Sequence, residues 1–193
     1  MSDSETLYLA STSPRRREIL RSIGVAFEAL PVQVDESPLP GESPSELVLR
    51  LAKAKAKAAD VAGIVLGSDT VVVLDNRMLC KPTDCDDAIA MLLSLAGRSH
   101  QVLTGVAVRS PGGNYSALSA TEVRFREIDR DEALAYWHSG EPADKAGAYG
   151  IQGRGGMFVE SISGSYSGVM GLPVFETVQL LQRAGIEVLT KTK

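Results

Sequence analysis

Four groups of residues sit where local rules disfavour them, and their types describe chemistry on a polyanion. In Ser11-Thr12-Ser13-Pro14-Arg15-Arg16-Arg17 three arginines crowd the first turn of an expected helix. The helix dipole disfavours each positive charge there by about 0.3–1 kcal/mol. Free helix N–H groups, hydroxyls and guanidinium forks at one point would form a phosphate cradle, and a bound anion would reverse the penalty. Arg17 reads as a solvated basic residue, so the expectation rests on Ser13, Arg15 and Arg16. The second group is Lys55. On a helical wheel Leu47, Val48, Leu51, Ala52, Ala58 and Ala59 form the buried stripe, while Arg50, Lys53 and Lys57 fall on the solvated side. Lys55 lies inside the apolar arc. Either its stem carries the ammonium out to water, or the ammonium meets a substrate phosphate or an acidic side chain.

The third is Asp69, in the middle of the apolar run Ile64 to Val73. A carboxylate there is costly unless paired or metal-bound. It reads as a general base or metal ligand exposed by the small Gly67-Ser68 step, or as a cap on a neighbouring loop. The pair Asp35-Glu36 offers a second carboxylate. The fourth is Gly147-Ala148-Tyr149-Gly150-Ile151-Gln152-Gly153, a loop that lets backbone approach a flat ligand. Gln152 can read a base edge with both acceptor and donor. Lys81-Pro82 adds one more cation.

Splitting a triphosphate between its α and β phosphates needs this set: cations around dispersed charge, a divalent metal, and a carboxylate that positions or deprotonates water. Arg15, Arg16, Lys55 and Lys81 supply cations, Asp69 and Glu36 the carboxylates. Competing signatures are missing. There is no G-x4-G-K-[ST] loop, Gly164-Ser165-Tyr166-Ser167-Gly168 has tyrosine where a nucleophilic serine would stand, and Gly153-Arg154-Gly155-Gly156 is no dinucleotide fingerprint. His100 and His138 make no convincing triad.

The elements that must position these residues alternate between strand and helix, as in an α/β layer fold. A strand is expected at Leu7–Ala10, then a helix capped by Ser13 with Pro14 at its first position, running to about Gly24. Phe27–Val32 reads as a strand. Ser43-Pro44-Ser45-Glu46 is a capping box opening a helix to about Asp60. Ile64–Leu74 is a central strand, turning through Asp75-Asn76 into a short strand ending near Cys80. Thr83-Asp84-Cys85-Asp86 caps a helix that stops at Gly97. Gln101–Arg109 and Ser119–Arg126 form a hairpin through Pro111-Gly112-Gly113-Asn114. Asp129 and Glu132 open a helix ending at Gly140, Gly147–Gly156 is a shaped loop, Met157–Ile162 a strand, and Pro173–Ala184 the last helix.

A chain of 193 residues with 44% hydrophobic and 23% charged residues is long enough for one domain with a large core. The net charge of -4 argues against nucleic-acid binding, which needs a basic surface. Cys80 and Cys85 are too few for a disulfide framework and read as reduced thiols of a cytoplasmic protein. The polar N-terminus is no signal peptide, and no apolar run is long enough to span a membrane.

Ser11 to Arg16, Val34-Asp35-Glu36, Leu51 to Lys55, Gly67 to Thr70, Lys81-Pro82, Asp144 to Gly153 and Gly171-Leu172-Pro173, in this order, resemble the Maf family, also called septum formation inhibitor Maf proteins. The likeness runs from about Leu7 to Gly185, so the whole chain, 1–193, reads as a single Maf-like domain. It implies a mixed twisted α/β sheet flanked by helices, in a two-lobed anvil-like shape related to the inosine triphosphatase fold, and often a homodimer. It further implies hydrolysis of nucleoside triphosphates to monophosphate and pyrophosphate with Mg²⁺ or Mn²⁺. By this resemblance Asp69 is the proton acceptor and, with Glu36, a metal ligand; Ser13, Arg16, Lys55 and Lys81 surround the phosphates. Arg15, Thr70 and Gln152 match the family's uridine/thymidine triphosphate branch. The 7-methyl-GTP branch has tryptophan in place of Arg15 and lacks the Tyr-Gly-Ile-Gln loop. Two other readings stand beside a pyrimidine triphosphate pyrophosphatase: a purine-directed relative, and a nucleotide-sensing regulator of cell division with little turnover. Asp69, Glu36 and Lys81 together favour catalysis, since a sensor needs no water-activating carboxylate.

Overall fold

Seven strands form one mixed sheet in the computed structural model, which describes residues 6–189. They are β1 Leu7–Leu9, β2 Glu28–Ala29, β3 Ile64–Leu74, β4 Arg77–Leu79, β5 Ser99–Ser110, β6 Gly113–Phe125 and β7 Val159–Ser163. The order across the sheet is β2-β1-β3-β5-β6-β7, with β4 also paired to β3. β1 runs parallel to both β2 and β3, Leu9 facing Ala29 on one side and Leu66 on the other. β4 returns antiparallel along β3, and β7 lies antiparallel to β6. The helices are α1 Pro14–Ser22, α2 Pro44–Ala58, α3 Cys85–Leu95, α4 Arg130–His138, α5 Tyr166–Met170 and α6 Val174–Arg183.

The chain divides into two compact units. One comprises Met1–Asp69, Thr104–Ser119 and Gly171–Lys193; the other comprises Thr70–Leu103 and Ala120–Met170. In the first, Ile19 and Leu20 of α1, Leu47, Val48, Leu51, Ala52 and Ala56 of α2, and Leu180 and Leu181 of α6 are buried with Ile64, Val65 and Leu66 of β3. The α2 capping box forms as its sequence dictates: the Ser43 hydroxyl accepts from the N–H of Glu46, whose carboxylate accepts from the N–H of Ser43. At the other end of α2, Arg109 donates to the carbonyls of Ala56, Ala59 and Val61. That places a cation where helix carbonyls lack partners and the dipole is negative.

In the second unit Val72, Leu74, Ile89, Leu92, Leu95, Val102, Phe125, Tyr136, Tyr149 and Phe158 share one core. Asp84 caps α3 by accepting from the N–H of Asp87, and Asp129 forms a capping box with Glu132 at the start of α4. Asp75 and Asn76 both take left-handed φ, 49° and 63°, the tight hairpin turn between β3 and β4.

Several expectations need correction. β2 is only two residues long, against the six of Phe27–Val32. Ala58 is exposed, and Ala56 takes the buried place on α2. β5 and β6 extend well beyond the expected hairpin, so only Pro111 and Gly112 separate them. On β6 the inward face begins with Tyr115, Ala117, Ser119 and Thr121, too polar or small to register as an apolar alternation. The short helix α5 had no periodicity to announce it. The glycine-rich stretch is irregular as expected, held by short 3₁₀ turns at Ala146–Ala148 and Arg154–Phe158.

Candidate active site

The first unit builds a charged cluster from three elements. Pro14 starts α1, Ser13 caps it, and the Ser13 hydroxyl accepts from the N–H of Arg16 at 3.5 Å. The neighbouring buried Ser11 hydroxyl accepts from the N–H of Ser13 at 3.1 Å and from Arg16 Nη1 at 3.2 Å. Arg16 Nε donates to the carbonyl of Gly171 at 2.9 Å. One edge of this guanidinium is therefore locked to the protein. Arg15, also half-buried, follows the same turn.

Lys55 is buried at 9% exposure, and its ammonium lies 2.6 Å from Asp69 Oδ1 and 2.6 Å from Glu36 Oε1. Of the partners open to it from sequence, it takes carboxylates, one from β3 and one from the loop after β2. Of the pair Asp35-Glu36, only Glu36 reaches it. Asp35 is exposed and accepts from the N–H of Ser37 at 2.9 Å, which holds its carboxyl below the usual range.

Gly67 does more than expose Asp69. A Cβ there would collide with the carbonyl of Ala52 and come 2.7 Å from the nitrogen of Ala56; one on Gly105 would lie 2.9 Å from the nitrogen of Leu49. The two glycines let α2 press directly on the sheet, which carries Lys55 over Asp69. Ser68, fully buried beside them, has its hydroxyl 2.9 Å from the carbonyls of both Gly105 and Gly171. The Gly171 carbonyl thus joins Ser68 to Arg16, a link between residues so far apart in sequence that no local pattern encodes it.

Burial pulls the Arg16 guanidinium below its ordinary value; Asp69 and then Glu36 push it back up, while Arg15 adds to the lowering. Arg15, Arg16, Glu36, Lys55 and Asp69 therefore share one electrostatic neighbourhood. Among the described residues no three His, Cys, Asp or Glu side chains gather into a metal cage. Glu36 and Asp69, however, hold oxygens against the same cationic nitrogen. Mg²⁺ characteristically takes one or two carboxylates, keeps some waters and completes its shell with substrate phosphates. The donor set fits such an ion.

Thr70, Lys81 and Gln152 belong to the second unit. Thr70 is half-buried on β3; Lys81 is exposed just past β4, next to Cys80, whose carbonyl accepts from the N–H of Gly147 at 3.1 Å. Gln152 is exposed in the glycine-rich loop. Gly147 has φ of 68°, and Ala148 follows in the same left-handed region at 58°. Tyr149 anchors the loop inside the unit: its hydroxyl lies 2.9 Å from Nε2 of buried His100, and its ring packs edge-on to Phe125. His138 is exposed, and both cysteines are free thiols.

A mixed-sheet α/β protein with arginines at a helix N-terminus beside a lysine-bridged carboxylate pair belongs to the class built to hold polyanions. The family model described as Maf-like protein matches residues 6–184, and the chain belongs to that family. A dTTP/UTP pyrophosphatase from Saccharophagus degradans is 53% identical over 193 residues, covering 96% of this chain and 92% of its own length. Proteins of the same name from Pseudoalteromonas translucida and Vibrio cholerae are 51% and 52% identical, covering 93% and 92% of this chain and 97% of each relative. Among solved structures, the Staphylococcus aureus Ham1 protein aligns with 63% of this chain and 72% of its own, at 13% identity and a TM-score of 0.44. A likeness that faint carries no weight here.

Proposed function

We propose that this protein hydrolyses dTTP and UTP to the monophosphate and pyrophosphate. The observation that carries the reading is the Lys55 ammonium held 2.6 Å from both Asp69 and Glu36, beside the arginine turn of α1. The names of the relatives point the same way. Arg15, Arg16 and the N-terminus of α1 bind the phosphates, whose charge offsets the crowding of like charges. Asp69 accepts the proton of the attacking water, and the anhydride bond between the α and β phosphates breaks. Lys55, 2.6 Å away, holds the Asp69 carboxylate in place. Glu36 and Asp69 would hold Mg²⁺ or Mn²⁺, an ion that neutralises developing phosphate charge and makes bound water more acidic. Thr70, Lys81 and Gln152 enter through the family likeness, Lys81 for phosphate and the other two, with Arg15, for the base.

A homodimer, implied by the family likeness, and a cytoplasmic setting, expected from the cysteine usage, are part of this proposal. Light scattering in solution reads the first. None of the helices among the described residues is long and apolar enough to cross a membrane.

Incubation with a panel of triphosphates and Mg²⁺ or Mn²⁺ tests the proposal. UMP and dTMP with pyrophosphate are expected. UDP with phosphate would mean a different bond is cut, preferred turnover of GTP or ATP would favour a purine-directed enzyme, and tight binding without turnover would favour a sensor.

A further inference from the structure

The loop carrying Gln152 closes around a carboxylate that the reaction has not so far used. Glu141 opens a 3₁₀ turn, Glu141–Asp144, and its side chain accepts three hydrogen bonds: from Tyr136 Oη at 2.6 Å, the N–H of Arg154 at 2.9 Å and the N–H of Gly155 at 3.1 Å. The Tyr136 hydroxyl in turn accepts from the N–H of Gly150 at 3.0 Å. The two side chains grip the loop at Gly150 and again at Arg154 and Gly155. Gln152 stands midway between the grips and is exposed. The N–H of Gly153 donates to the carbonyl of Gly150 at 3.2 Å, tightening the same turn.

Three glycines make room for this arrangement. A Cβ on Gly153 would come 2.6 Å from the Glu141 carboxyl carbon, one on Gly155 would lie 2.6 Å from Tyr136 Oη, and one on Gly150 would meet Lys145 Cε at 2.8 Å. Burial pushes the Glu141 carboxyl up, but the Tyr136 hydroxyl and the N–H groups of Gly155 and Arg154 outweigh it and hold the group below its ordinary value. Burial and then Glu141 push Tyr136 up, so its hydroxyl stays a donor. An exposed loop can satisfy its N–H groups with water. A fixed hydroxyl at one end and an ionised carboxylate at the other instead restrict the residue between them, as precise recognition of a flat ligand requires.

We propose that Glu141, together with Tyr136, is the positioning residue that fixes Gln152 and thereby sets the enzyme's selection among bases. This rests on the reading of Gln152 as the residue that meets the base. A double-mutant cycle tests it, with kcat and KM measured for UTP and GTP in wild type, Glu141→Gln, Gln152→Ala and the double variant. Glu141→Gln keeps the side chain's size but turns an amide donor toward groups that are themselves donors. Its kcat/KM for UTP should fall about tenfold, mostly through KM, and the preference for UTP over GTP should shrink by the same factor. On the Gln152→Ala background the same substitution should cost less than about twofold. Equal losses for UTP and GTP, an undiminished loss without Gln152, or wild-type selectivity would each overturn the assignment. Should Glu141→Gln fail to fold, Tyr136→Phe is read by the same criteria. It retains the ring that packs edge-on to Phe158 at 5.1 Å and removes only the hydroxyl. A wild-type protein inert toward every triphosphate would overturn the functional proposal itself, which is a different result from additivity in the cycle.

Discussion

Lys55 owes its burial to Asp69 and Glu36, and the three charges stand or fall together. Lys55→Met would keep the apolar stem and leave two carboxylates facing each other. We expect a loss of about 2–3 kcal/mol, below the roughly 3–5 kcal/mol of a fully buried pair because the Glu36 side chain is 50% exposed. Urea unfolding reads this as a lower midpoint at unchanged slope. An unchanged midpoint would mean the ammonium contributes nothing net to the fold. Arg15 lies on the same turn as Arg16 but is given a different task. Arg15→Trp should lower kcat/KM for UTP more than it lowers affinity for pyrophosphate. Equal losses for every nucleotide would remove Arg15 from base selection.

At the scale of elements, the seat of α2 on the sheet decides where Lys55 lies. Gly67→Ala would drive a methyl into the helix backbone at Ala52 and Ala56. Backbone cannot rotate away as a side chain can, so a cost of about 1–3 kcal/mol is expected, with turnover falling as Lys55 shifts from Asp69. Thermal unfolding and steady-state assay read the two effects; full activity at wild-type stability would show that α2 has slack. Caps and turns were the legible elements, because Ser13, Ser43, Asp84 and Asp129 act within four residues of chain, and β3 was legible because an apolar run of that length has few other homes. The full length of β6 was not legible, since its inward face starts with small and hydroxylic residues whose burial depends on partners remote in sequence.

Across the whole molecule, long-range contacts separate what could be foreseen from what could not. Arg16, Lys55 and Asp69 announced themselves by standing where charge is costly, and Glu36 by family likeness. The roles of Gly67, Ser68 and Glu141 depend on what packs against them, which no local pattern encodes. His100 gives the molecule a pH dependence of its own. Burial lowers its pKa from 6.5 to about 4, and its Nδ1 is buried without a partner. The unfolded chain takes up a proton as pH falls through 6.5, whereas the folded protein does so only near 4. This contribution is therefore complete above pH 6.5 and is lost as pH falls toward 4, by roughly 3 kcal/mol in all. His100→Gln, which keeps a polar group for Tyr149, should unfold with a weaker dependence on pH across that window. Identical pH profiles for the two proteins would show that His100 is solvated.

The direct test of the account is the rate of UTP hydrolysis by Asp69→Asn, measured beside nucleotide binding and unfolding midpoint. The substitution keeps the shape of the side chain and one acceptor for Lys55 while removing the proton acceptor. Turnover should fall by about 10³-fold with folding and UTP binding retained. Hydrolysis at the wild-type rate would show that the carboxylate on β3 does not activate water, and the proposed chemistry of this cluster would be wrong.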